Sequence, residues 1–325
     1  MISEADAIEE LVRINLSSAD STPGCARRSQ HAKDHGCVRA TVTITDDVPN
    51  DLRVGLFAEP RTYEALIRFS NSREPDDRKP DVHGMAIKLL GVSGEKLVGT
   101  ESAADILLID SETFFTGDRL EYVLLNRGLI ARNLGGIGKI LAVLRLVLFH
   151  LGLLLRAQKV ASRKPWSPLA SPYSSATPYA LGDKAVKYVA VPRAGGSGPA
   201  PVVADGLSEA IARQLAETAF VFDFGVDVQT DAGRQPIDDP TVAWSAQPGA
   251  RRVWLGRIDI PVQMVEPGAS LAENLAFSPW HTLAEHRPLG FINNARREVY
   301  LAMSRRRREL NGVDPAVLPG GGGLS

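Results

Sequence analysis

Cysteine is scarce: Cys25 and Cys37 are the whole complement of a 325-residue chain. Two thiols build no disulfide framework and their spacing fits no strong metal signature, so a stapled scaffold is excluded and a reducing cytoplasm is the expected compartment. Net charge is also lacking. Thirty-seven basic residues against 38 acidic ones leave −1, which gives no field suited to nucleic acid. No apolar run is long enough to cross a bilayer. Met1 to Leu16 has neither the basic start nor the apolar stretch of a secretory signal and is expected to form a short acidic amphipathic helix. No internal repeat is present. What remains is a hydrophobic content of 44%, enough to bury a large core in a globular protein.

Alternating and β-branched runs predict strands at Val38–Ile44, Ala65–Ser70, Gly84–Leu90 and Asp105–Ile109. No long helix separates them, which argues for an antiparallel sheet or barrel and an α+β class rather than βαβ units. Further strands are expected at Ala185–Val191, Ala219–Val228 and Arg252–Val262, with a helix at Leu207–Thr218. After Pro288-Leu289-Gly290 the chain runs to Leu310 without proline or internal glycine, and a helix is expected from near Phe291. Arg296 and Tyr300 lie four apart on it, hence on one face, and Arg307 follows on that face two turns later. A guanidinium beside a phenol favours the phenolate. A phenolate is a hard anionic ligand of the kind that holds ferric haem. The plain reading of these residues is an amphipathic core tyrosine beside a solvated arginine face.

Other stretches bear on that choice. Arg28-x-x-His31-Ala32-Lys33 enters the first strand, and Arg68-Phe69-Ser70 ends the second. Asp81-x-x-Gly84-x-Ala86-x-Lys88 and Phe114-Phe115-x-x-Asp118 follow, and Ala276-Phe277-Ser278-Pro279 precedes the Arg296–Tyr300 pair. In this order and spacing they resemble the haem catalases, over roughly residues 25–122 and 185–310. The resemblance implies a catalase-like antiparallel β-barrel with surrounding helices and haem b between His31 and Tyr300. Tyr300 would be the iron ligand, kept ionised by Arg296. His31 would be the distal base, with Ser70 fixing its tautomer. Arg28, Arg68 and Arg307 match positions that bind the haem propionates, and Tyr122 falls near where catalases carry an aromatic ring over the haem. The implied function is a peroxidase that reduces hydrogen peroxide or organic hydroperoxides with a small reductant, in a homo-oligomer. Two alternatives stand beside it: a haem enzyme that rearranges or cleaves fatty-acid hydroperoxides, and a non-catalytic haem-binding protein.

Departures from the catalase pattern bear on activity. Catalases place an asparagine on the distal side where this chain has Ile109, and Asp110, the next residue, is the candidate to take over part of that amide's role. Losing one preorganised donor costs about a hundredfold or more in rate. Gln30 replaces a usually apolar residue. His83 stands where arginine is common, so it is expected either at a propionate or exposed, and His35 is expected in a loop or at the surface. His281 and His286 show no metal-like spacing, while Lys33 and Lys88 read as solvated or ion-paired. The chain is shorter than usual for a catalase, which implies a more open pocket. Residues 1–24 are expected to form the N-terminal helix and linker, 25–310 the haem domain and 311–325 a flexible tail. Within the domain, 134–156 reads as an inserted amphipathic helix with Leu151 and Leu155 on its apolar side. It is expected to pack on the domain or a partner copy, with contact to a lipid surface as the alternative.

Overall fold

The computed structural model describes residues 2–19, 26, 28, 30–131, 151–194, 196–266 and 275–312. Among these residues nine antiparallel strands follow one another: β1 (Asp34–Ile44), β2 (Arg61–Asn71), β3 (His83–Leu90), β4 (Ala103–Ile109), β5 (Tyr173–Ser174), β6 (Tyr179–Leu181), β7 (Lys184–Pro192), β8 (Phe220–Val228) and β9 (Arg251–Ile260). Eight of them close a barrel. Its order is β4-β3-β2-β1-β9-β8-β7, with β5 pairing to both β4 and β7 and so completing the ring, while β6 adds to the far side of β7.

The barrel is a direct consequence of period-two patterning. Ile67, Phe69, Met85, Ile87, Ile106 and Leu108 point inward and join Tyr188, Phe222 and Phe224 in one buried core. Closure between β1 and β9 requires a glycine, because a Cβ on Gly256 would lie 1.9 Å from the Thr43 carbonyl oxygen. The closing strand β5 sits in a stretch rich in proline and serine, Pro165 to Pro178, that carries no strand pattern. Two residues carry no readable periodicity, and it is a strand only because Ile109 opposes Ser174 on one side and Ala190 opposes Tyr173 on the other.

Five α-helices surround the barrel among the described residues: α1 (Glu4–Ser17), α2 (Arg119–Ala131), α3 (Leu151–Val160), α4 (Gly206–Glu217) and α5 (Gly290–Asn311). None is long and apolar enough to cross a membrane. Helices α1, α2 and α5 share a small core of Ala7, Leu11, Tyr122, Val123, Phe291, Ala295 and Val299. Gly312, at φ 63°, ends α5 in the left-handed conformation, and its N–H caps the carbonyls of Arg308 and Glu309. Of the expected inserted helix, residues 134–150 lie outside the described residues, as does the tail from 313 onward. Its described end, α3, buries Leu153 and Val160, while Leu151 and Leu155 are 55% and 57% exposed. These two residues of the expected apolar side therefore point outward on the single chain.

Two of the buried histidines, His35 and His286, lie in the interior away from the cavity described below. His286 accepts the Leu56 N–H on Nε2 at 2.7 Å, so Nδ1 carries the hydrogen and donates to the Tyr188 oxygen at 3.0 Å. His35 bridges Asn71 at 2.7 Å and Ser208 at 3.3 Å and lies 4.0 Å from Asp77, fastening β1 to α4. It is fully buried, which corrects the expected loop or surface position. Burial lowers both from 6.5, His286 to about 3 and, against the pull of Asp77, His35 to about 4. Below 6.5 the unfolded chain therefore binds protons that the folded chain refuses. Stability is expected to be level in these terms above pH 6.5 and to fall between pH 6.5 and about 4, by roughly 1.4 kcal/mol per pH unit for each histidine. Denaturant midpoints at pH 7 and pH 5 measure this; equal midpoints contradict it.

Candidate active site

The same alternation that fills the barrel leaves a second set of side chains on its outer wall. Arg68 and Ser70 from β2, Gly84 and Ala86 from β3, and Leu107 and Ile109 from β4 line a cavity of about 280 Å³ roofed by the helices. From α5, Arg296, Tyr300, Met303 and Arg307 enter the same cavity. Their spacing puts them on one face, next to the stripe of Ala295 and Val299 that holds the helix to α1 and α2, and Val299 lines the edge of the cavity as well.

His31 comes from the segment just before β1. Its backbone is left-handed, at φ 53°, an uncommon state for a residue with a Cβ. It is held there at both ends: its N–H donates to the Ser72 carbonyl at 2.8 Å, and its own carbonyl accepts from Arg68 Nη2 at 3.0 Å. The ring meets Ser70 Oγ through Nδ1 at 3.0 Å and packs over Gly84, where a Cβ would come within 2.7 Å of it. Burial, reinforced by the charge of Arg68, pushes its pKa down to about 3. The imidazole is therefore neutral throughout the physiological range.

On the helical side, Arg296 reaches the Tyr300 hydroxyl at 3.4 Å and Asn293 Oδ1 at 3.1 Å. Burial favours loss of its charge, but Tyr300 and Tyr179 outweigh burial and the guanidinium's pKa is raised. Arg28 and Arg307 converge on one acceptor, the Leu275 carbonyl. Arg68 turns partly inward, with Nε 3.2 Å from Asp34, so it grips the strand entry as well as lining the cavity. Tyr122 also lines the cavity, in edge contact with Phe114 at 5.8 Å, and burial pushes its hydroxyl up to about 12.

Asp110 is not part of this cavity. Its carboxylate accepts from the His83 backbone N–H at 2.9 Å and pairs with His83 Nδ1 at 2.8 Å, both residues being buried. It borders a separate cavity on the other side of the β4 end. This corrects two expectations together: Asp110 does not stand beside His31, and His83 is neither exposed nor on the main cavity wall.

Ion pairing was one expectation for Lys88, but sequence reasoning missed the network around it. Lys88 and Asp105, opposite each other on β3 and β4, form a buried ion pair. Asp105 also accepts the Ser278 N–H at 2.9 Å and lies 3.3 Å from His281 Nδ1. Asp105 thereby anchors the segment that brings Ala276 and Phe277 to the cavity. An aspartate inside an otherwise apolar strand was the signal available. Asn15 and Gln30 also line the cavity, and no motif marked Asn15.

A filled antiparallel barrel with its site on the outer wall, under helices, defines the class of fold. Within that class the fold is catalase-like. The chain superposes on a fungal catalase with a TM-score of 0.64 and 17% identity, over 97% of this chain and 66% of that one. Against catalase A from Saccharomyces cerevisiae the TM-score is 0.63 at 16% identity, over 97% and 68%. A bacterial catalase gives 0.58 at 15%, over 98% and 64%. The chain thus spans about two thirds of the length of these catalases. No protein-family model and no curated protein sequence matches it.

Proposed function

We propose that this chain is a haem-dependent peroxidase that reduces hydrogen peroxide or organic hydroperoxides with a small reductant, holding haem b in the cavity described above. One observation carries the reading: a neutral imidazole on the sheet side and a guanidinium-paired phenol on the helix side line the same cavity. The other residues fit the group. Leu107, Ile109, Val299 and Met303 offer apolar walls to a flat macrocycle. Gly84 and Ala86 keep the sheet wall low, and Arg28, Arg68 and Arg307 offer guanidiniums suited to its two carboxylates. Tyr300 is the oxygen ligand for ferric iron in this reading.

Bound haem supplies the iron that takes up the oxidising power of the peroxide. The chain's own task is the proton. With Nδ1 engaged by Ser70, Nε2 of His31 is the nitrogen left to take the hydroperoxide proton and return it to the leaving oxygen. Arg296 keeps a fixed positive charge beside the Tyr300 oxygen. Ile109 presents no hydrogen bond at the distal wall, which favours reduction of peroxides over rapid disproportionation.

Titration with ferric haem tests the proposal. One equivalent is expected to bind, and added peroxide is expected to oxidise a reductant stoichiometrically; absence of stoichiometric uptake overturns it. The apolar wall at Leu107, Ile109 and Leu125 favours a second reading, rearrangement or cleavage of fatty-acid hydroperoxides. Isomerised product formed without reductant consumption selects that reading.

A further inference from the structure

Neither Ile109 nor Asp110 provides a distal hydrogen-bond donor. We propose that Gln30 does: its side-chain amide is a catalytic group that donates a hydrogen bond to the oxygens of a peroxide held beside His31. This rests on the haem-peroxidase reading above.

Gln30 directly precedes His31 and lines the same cavity, together with Asn15. Its amide is oriented by a chain of partners. The Leu11 carbonyl can only accept, so Asn15 must turn its NH2 toward it, at 2.8 Å. Asn15 Oδ1 then faces Gln30 and can only accept, and it takes one N–H of Gln30 Nε2 at 2.9 Å. The alternative amide flip would set nitrogen against nitrogen or oxygen against oxygen. One hydrogen of Gln30 Nε2 is thus committed, and the second remains for the cavity.

The support is rigid. Leu11 is fully buried and Asn15 is 5% exposed, both in α1 and both packed under the roof of the site. Gln30 is therefore steered by a helix, although it sits in an irregular segment. A neutral amide also suits its neighbour. It offers a donor without adding a charge that would further oppose protonation of His31, and a donor held in place before the substrate arrives costs no reorganisation. Asp110, the residue first expected in this role, would have brought an acceptor and a negative charge.

Fluoride binding to the ferric haem-reconstituted full chain reads the donor independently of turnover, because fluoride is a small anion that accepts hydrogen bonds. Gln30→Leu is expected to weaken fluoride binding about ten- to a hundredfold, the range for losing a hydrogen bond to a charged group, with haem stoichiometry unchanged. Gln30→Glu keeps the shape and covers the case in which leucine disturbs the fold. It presents only acceptors when ionised, so it is expected to weaken fluoride at least as much. Asn15→Ala leaves the donor but frees its orientation, and a smaller loss is expected. Fluoride affinity unchanged in both Gln30 variants, with haem still bound, overturns the proposal. Failure of the unmodified chain to bind haem strikes the haem reading itself, so the two failures are distinguishable.

Discussion

Replacing His31 with alanine is expected to lower peroxide turnover by about two to four orders of magnitude, the usual contribution of a positioned general acid–base group, while haem stays bound. The size of the effect follows from how much of the structure is spent on this one ring. Its backbone is held in a left-handed conformation by Ser72 and Arg68, its Nδ1 is engaged by Ser70, and its face rests on Gly84. Its pKa near 3 also predicts a pH profile without a step near 6.5, since the base is already unprotonated there. Gly84→Ala probes the same group without removing it. The added Cβ would press into the ring at 2.7 Å, so turnover should drop while the phenol side of the site is untouched. Steady-state kinetics beside haem stoichiometry decide the matter. Turnover within twofold of the unmodified chain in His31→Ala would remove His31 from the mechanism.

Tyr300→Phe is expected to lose or transform the ferric haem spectrum and to weaken haem binding by about a hundredfold or more, since disturbing even the outer partners of a ligand costs ten- to a hundredfold. The variant removes the phenol oxygen that α5 presents beside Arg296, at 3.4 Å. It also leaves a partly buried guanidinium without that partner, although Asn293 Oδ1 still holds it at 3.1 Å. A loss of thermal stability is therefore expected as well, because a buried charge stripped of a partner is costly. Far-UV circular dichroism separates a folded variant that has lost its ligand from a misfolded one. Identical spectra for a folded Tyr300→Phe and the unmodified chain would show that Tyr300 is not the ligand.

Most of the barrel was legible because period-two alternation is a property of each strand by itself. The runs around Val38–Ile44 and Ala65–Ser70 carry it plainly, and they fall inside β1 and β2. β5 was not legible, being two residues long and defined by its neighbours. Helix α2 passed unnoticed for another reason: its polar and apolar residues mix without strong periodicity, and its burial comes from packing on α1 and α5. On α5 the Arg296–Tyr300 pair was readable because a separation of four on a helix fixes proximity whatever surrounds it.

The sequence by itself determined which side chains share a strand face or a helix face, since those follow from local geometry. Inward Phe69 against outward Ser70, and Arg296 above Tyr300, needed nothing else. Tertiary structure decided which of those faces meet and which polar groups find partners. His35 reads locally as a loop or surface residue, because its partner Ser208 lies 173 positions away. Asp110 adjoins Ile109 in the chain, yet His83 from β3 claims it. The orientation of Gln30 depends on Asn15 and, through it, on a carbonyl in α1. A buried polar group must be satisfied by whatever the fold brings to it, and that partner is chosen by contacts between elements distant in sequence, which no local pattern records.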